Sequence, residues 1–206
     1  MMVLLDSYLP VFKLTLQIAG NPAEHASYDE SRQICITTLE QAIADAGQCD
    51  ASEEEKEAAR FAVIAWLDET VLCSALPWRQ QWLGELLQRK YLNTTVAGTH
   101  FFSQLAELDI KHQQARTVFL FCLQNDFHGQ YGTADDRSDL LALIEALRKQ
   151  CLPQSWHTWP NEAPVTSGTP HRTTPMPLRK SLLPGVLMGV LLLYGLLFLL
   201  LRYNVT

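Results

Sequence analysis

The chain has 206 residues, enough for one globular domain with an appendage and too few for two ordinary domains. Its formal net charge of −6 is unevenly spread: through Pro160, 12 Lys and Arg stand against 21 Asp and Glu, a net of −9. From Asn161 onward Arg172, Arg179, Lys180 and Arg202 face only Glu162, a net of +3. The acidic head excludes nucleic acid as a partner, because that binding needs basic residues to displace counterions from phosphates.

The N-terminus is apolar from Met1 to Leu5, but Asp6 and Lys13 follow. With neither a basic start nor a small-residue cleavage site, it does not read as a signal peptide. Leu9, Phe12, Leu14, Leu16 and Ile18 instead suggest one face of an amphipathic helix. Tyr28 to Ala46 carries Ile34, Ile36, Leu39 and Ile43 and stops at Gly47, a second helix. Ser52 with Glu55 three residues on is a capping-box pattern. The Glu53, Glu54, Glu55 and Glu57 run behind it suits the positive end of a helix dipole better than a metal site. That third helix runs through Phe61, Ile64, Leu67, Val71 and Leu72 and is expected to end at Pro77.

Trp78 to Tyr91 is a further amphipathic segment carrying Trp82, Leu83, Leu86 and Leu87. Thr99 is expected to cap a helix presenting Phe102, Leu105 and Leu108. Ala115 to Phe127 is almost wholly apolar and is expected to be the central buried helix. His128-Gly129-Gln130-Tyr131-Gly132 is a turn. Thr133, with Asp135 and Asp136 behind it, starts a last helix whose Leu140, Leu143, Ile144 and Leu147 face inward. No stretch before residue 152 alternates with the period of a strand, so residues 1–151 are expected to form an all-α bundle of about seven or eight helices.

Residues 152–178 hold six of the ten prolines and read as a semi-extended linker, its 27 residues reaching on the order of 80 Å in polyproline form. Residues 181–201 carry no charge, and at about 1.5 Å per residue they match the hydrocarbon thickness of a bilayer, a single transmembrane helix. Arg172, Arg179 and Lys180 precede it and Arg202 follows. The positive-inside rule therefore puts the head in the cytoplasm and the 202–206 tail outside, an anchor at the C-terminus. Gly185 and Gly189 have the GxxxG spacing that lets two such helices approach and self-associate, although glycine is common in these helices anyway.

The cysteines (Cys35, Cys49, Cys73, Cys122 and Cys151) are odd in number and form no CxxC pair, so neither a disulfide framework nor a zinc site is expected. Cys35, Cys73 and Cys122 lie in apolar helical patterns and read as small buried side chains. No HExxH, GxSxG or phosphate-binding glycine loop is present. No catalytic residue, cofactor or metal is expected, and the chain reads as a non-enzymatic scaffold. The site that stands out is Asp68-Glu69, two adjacent carboxylates in mid-helix with apolar neighbours on both sides. Such a pair must either face solvent or be buried with partners. Two readings stay open: a solvent-facing edge with Asp68 bonded to a neighbouring helix, or an acidic patch lining a groove for a partner protein.

The succession WLDETVL, PW, GTHFF and FLFCLQNDFHGQYG resembles the DotU/TssL (IcmH) family of secretion-system proteins over roughly residues 8–150. The proline-rich linker and single anchor fit as well. The chain departs from the family pattern at Ala97-Gly98-Thr99, where a glycine pair and an acidic residue are usual, and at Gly132, where a basic residue often stands. Many relatives also carry a peptidoglycan-binding domain after the anchor, which is absent from this sequence. The resemblance implies an inner-membrane component of a type VI secretion system, its head two short helical bundles with a cleft between them. It implies binding to an IcmF/TssM-like inner-membrane protein and to baseplate subunits (TssK-like and TssE-like). It maps the family's acidic pair onto Asp68 and Glu69 and so favours the groove reading for them. The alternatives are a DotU-like stabiliser of an IcmF partner in a type IVB system and, from a different class, a tail-anchored enzyme.

Overall fold

The computed structural model describes residues 3–132 and 136–154. The proposed linker beyond that point, the 181–201 span and its Gly185 and Gly189 lie outside the described residues, as does Thr133. The chain divides into a unit of Met1–Glu162 and a second of Ala163–Thr206, and the described residues all lie in the first. Among the described residues there are eight α-helices and no strand, as the helical periodicities require. No helix among the described residues is long and apolar enough to cross a membrane.

The first two helices, α1 (Leu4–Gly20) and α2 (Tyr28–Gly47), pack on each other and on α3 (Glu53–Cys73). Short helices α4 (Arg79–Gly84) and α5 (Leu87–Leu92) follow, then α6 (Ala97–Glu107), and all three pack on α3. Helix α7 (Gln113–Gln124) lies against both α1 and α3, and α8 (Arg137–Cys151) packs on α7. The middle of the fold is therefore α3, not the segment after Ala115. Its unbroken run from Ala62 to Asp68 is buried, a pattern that only a helix covered on every side can hold. The two bundles implied by the family resemblance share this helix and one continuous apolar core, so they are not separate packing units.

Several inward faces differ from those expected. In α1 the buried positions are Leu4, Ser7, Tyr8, Val11, Phe12, Thr15 and Ile18, a true three-and-four spacing. Leu9 and Leu16, seven residues apart, lie on the outer face at 40% and 44% exposure. The register is set by the aromatic Phe12, whose ring sits 4.5 Å from that of Trp66 and 4.7 Å from that of Phe121. In α2 the inner face is Ser31, Cys35, Leu39, Ala42 and Ala46, whereas Ile34 is 48% exposed. Small side chains there let α2 lie close to its neighbours.

The segment from Trp78 to Tyr91 is broken at Glu85–Leu86 into two short helices. Helix α6 starts at Ala97, two residues before the expected Thr99 cap, and α3 ends at Cys73 rather than at Pro77. Cys35 and Cys122 are buried, but Cys73, the last residue of α3, is exposed.

Candidate functional site: a cleft beside Glu69

Helix α3 carries three acidic residues whose carboxylates reach across to the backbone of other elements. At its start, the Ser52 side chain accepts a bond from the Glu55 N–H at 3.2 Å, half of the expected capping box. The Glu55 side chain completes no box. It accepts from the backbone N–H groups of Gln114 (3.0 Å) and Ala115 (3.4 Å), in the first turn of α7. A buried carboxylate at a helix N-terminus satisfies orphan donors and meets the positive end of the dipole.

Asp68 does the same in the deepest part of the molecule, at 0% exposure. Its Oδ1 accepts from the Trp82 indole N–H (2.8 Å) and the Leu87 N–H (3.1 Å), and its Oδ2 from the Gln88 N–H (2.9 Å). The break between α4 and α5 thus falls where Asp68 accepts the first N–H groups of α5. Burial raises the Asp68 carboxyl above its ordinary value, against the opposing pull of these hydrogen bonds. Gln88 passes the arrangement on, its side-chain oxygen accepting from the Ala97 N–H at 2.9 Å in the first turn of α6. Asp68 therefore does not line a surface groove. It is a buried organiser of α4, α5 and, through Gln88, α6.

Glu69, one residue on, points toward a different face. Its Oε1 accepts from the His128 N–H at 2.7 Å and its Oε2 from the Gly129 N–H at 2.9 Å. His128 Nδ1 lies 3.8 Å from Oε1. Burial raises this carboxyl as well, opposed by the two backbone bonds and by His128. The turn it holds is unusual at Gly129, with φ +52°. A Cβ there would collide with the Gly98 carbonyl oxygen and lie 2.8 Å from the Phe102 ring, so only glycine fits. Phe127 and Tyr131 anchor the turn, Phe127 at 4.2 Å from Phe101 and Tyr131 edge-on to Phe102 at 4.7 Å between ring centres.

The Glu69 side chain keeps 21% of its surface exposed and opens into a cleft of about 510 Å³, whose walls include Cys73, Gln88, Gly98, His128 and Gly129. The two sequence-predicted carboxylates are thus separated: Glu69 faces the cleft, and Asp68 supports its wall from within. Cys73, exposed at the end of α3, also lines the cleft, and partial desolvation and the Glu69 charge both push its thiol up. No group of three or more metal-ligating side chains occurs among the described residues. Sequence reasoning missed Glu55 and Gln88 as capping groups. The Ser52–Glu55 spacing marked Glu55, but as a local cap rather than a long-range one.

The comparisons with known proteins agree with this architecture. The cytoplasmic domain of TssL from Acinetobacter baumannii has the same fold, at a TM-score of 0.65 and 24% identity, with 73% of this chain and 98% of that one covered. A search of curated proteins finds no match. The family model described as type VI secretion system protein DotU matches residues 3–206, from the first described helix through the apolar stretch at the end. The chain therefore belongs to the DotU family of type VI secretion system proteins.

Proposed function

We propose that this protein is a non-enzymatic component of the type VI secretion membrane complex that holds the cytoplasmic baseplate at the inner membrane by protein–protein binding. The family match over residues 3–206 carries this reading. In it, residues 181–201 are the single membrane anchor, and the helical head works on the cytoplasmic side. An IcmF/TssM-like protein is the membrane partner, TssK-like and TssE-like subunits are the baseplate partners, and Gly185 and Gly189 are the contact for a homodimer. The cleft beside Glu69 is the contact for the baseplate. A carboxylate held by two backbone N–H groups is fixed in place, and its exposed edge offers a negative charge to a basic partner residue at little ordering cost. Asp68 and Glu55 are both occupied in holding backbone N–H groups of other helices, which leaves Glu69 as the α3 carboxylate of the three that a partner can reach.

The test is affinity purification of the tagged full-length chain from host membranes in mild detergent, with quantitative mass spectrometry. The expected result is recovery of an IcmF/TssM-like protein together with baseplate subunits. Recovery of the chain alone, under conditions that keep other membrane complexes intact, would contradict the proposal.

A further inference from the structure

On the far side of the 127–131 turn from Glu69 lies a second groove, of about 550 Å³. It is flanked by α6 and α8, which pack on different helices, α3 and α7 respectively. Phe102, Leu105, Tyr131, Leu143 and Leu147 give it an apolar lining. Its rims carry small exposed residues, Ser103 and Ala106 from α6 and Ala146 from α8, so another backbone can approach closely.

Its charge sets it apart. Three other clefts contain carboxylates, two of them beside an arginine: Glu54, Glu57 and Glu107 with Arg60 in one, Glu69 in another, Asp126 with Arg137 in the third. Among the described residues the lining of this groove has none, in a head of net charge −9. Arg116 lies within it instead, with His100 at the edge. The Arg116 guanidinium is held by bonds from Nη1 to the Leu108 carbonyl at 3.0 Å and from Nη2 to the Gln150 side-chain oxygen, while its buried Nε has no partner among the described residues. Two of five N–H groups fix the cation in place, and among the described residues the others are not engaged.

We infer that the α6–α8 groove is a second docking surface, for an amphipathic helical segment of a partner protein that lays apolar side chains on Phe102, Leu105 and Leu143 and presents a carboxylate to Arg116. Helix-in-groove recognition of this kind reads apolar anchors three and four residues apart, and the charge on the rim decides which segments are accepted. The surface is distinct from the Glu69 cleft, whose carboxylate calls for a basic partner residue.

The test places the photo-crosslinking residue p-benzoylphenylalanine at Ser103 in the full-length chain in its host, with the same residue at exposed Gln41 on α2 as control. Adducts are mapped to the residue by mass spectrometry. The expected adduct is a segment of another polypeptide with apolar residues at helical spacing and an Asp or Glu within one turn of them, and it is not seen from Gln41. Ala146→Asp should lower the yield about tenfold by like-charge repulsion, and Ala146→Lys should preserve or raise it. Both variants are surface changes, and matched helical content and Tm establish that they fold. Adducts to lipid, to this chain itself or to a segment without a carboxylate would overturn the inference. So would equal capture from Gln41 or an equal response to Asp and Lys at Ala146.

Discussion

Asp68 and Glu69 are neighbours in sequence with different work to do, and substitutions should separate them. Asp68→Ala leaves three buried donors without an acceptor and is expected to destabilise the head by about 3 kcal/mol or more, read by denaturant unfolding. Asp68→Asn turns an amide nitrogen toward one of those donors and should cost about 1–3 kcal/mol. Its pH dependence has a definite sign. Burial raises the folded-state Asp68 carboxyl above the unfolded value near 4. Its proton-linked stability is therefore fully present below about pH 4 and is lost as pH rises through the folded-state value. The stability gap between wild type and Asp68→Asn should accordingly be widest at acid pH and narrow toward neutrality. A gap that widens with pH would contradict the assignment. Gly129→Ala, forced into a positive φ against the Gly98 carbonyl, should cost on the order of 2 kcal/mol and loosen the turn beside Glu69.

Helix placement was largely legible in the sequence, as were the inward faces of α3, α6 and α8, but those of α1 and α2 were not. Tyr28 to Gly47 and the Ser52 start could be read from capping and periodicity, because those signals are local. Which side of α1 turns inward depends on Phe12 meeting Trp66 and Phe121, contacts that no local pattern announces. Counting aliphatic residues therefore favoured Leu9 and Leu16, which face outward. The prediction at this scale is direct: Leu9→Ser and Leu16→Ser should change stability by less than about 0.5 kcal/mol, whereas Phe12→Ala should cost about 3–5 kcal/mol. The split of Trp78–Tyr91 was likewise hidden, since the break is made by Asp68 from another helix. The acidic pair was visible as an anomaly, but the sequence could not tell that one carboxylate points inward and the other into a cleft. Adjacent positions on a helix are about 100° apart, and only the neighbours decide which is covered. Glu55 carries a further expectation: its replacement by Ala should remove the cap on α7 at a cost of about 1 kcal/mol, measured by thermal unfolding.

At the scale of the molecule, carboxylates radiating from α3 organise the helical head, Glu69 is the one presented to a cleft, and the proposed function makes the apolar 181–201 stretch its tether. If that stretch is the anchor, the full-length chain should resist extraction from membranes by alkaline carbonate, and a chain ending at residue 178 should be released. The most direct test of the binding account is Glu69→Lys in the full-length chain, alongside wild type, with baseplate subunits quantified in the material purified from host membranes. The variant is expected to keep its helical content and its IcmF/TssM-like partner and to lose the baseplate subunits. Undiminished baseplate recovery by a folded Glu69→Lys protein would show that the Glu69 cleft is not the baseplate contact.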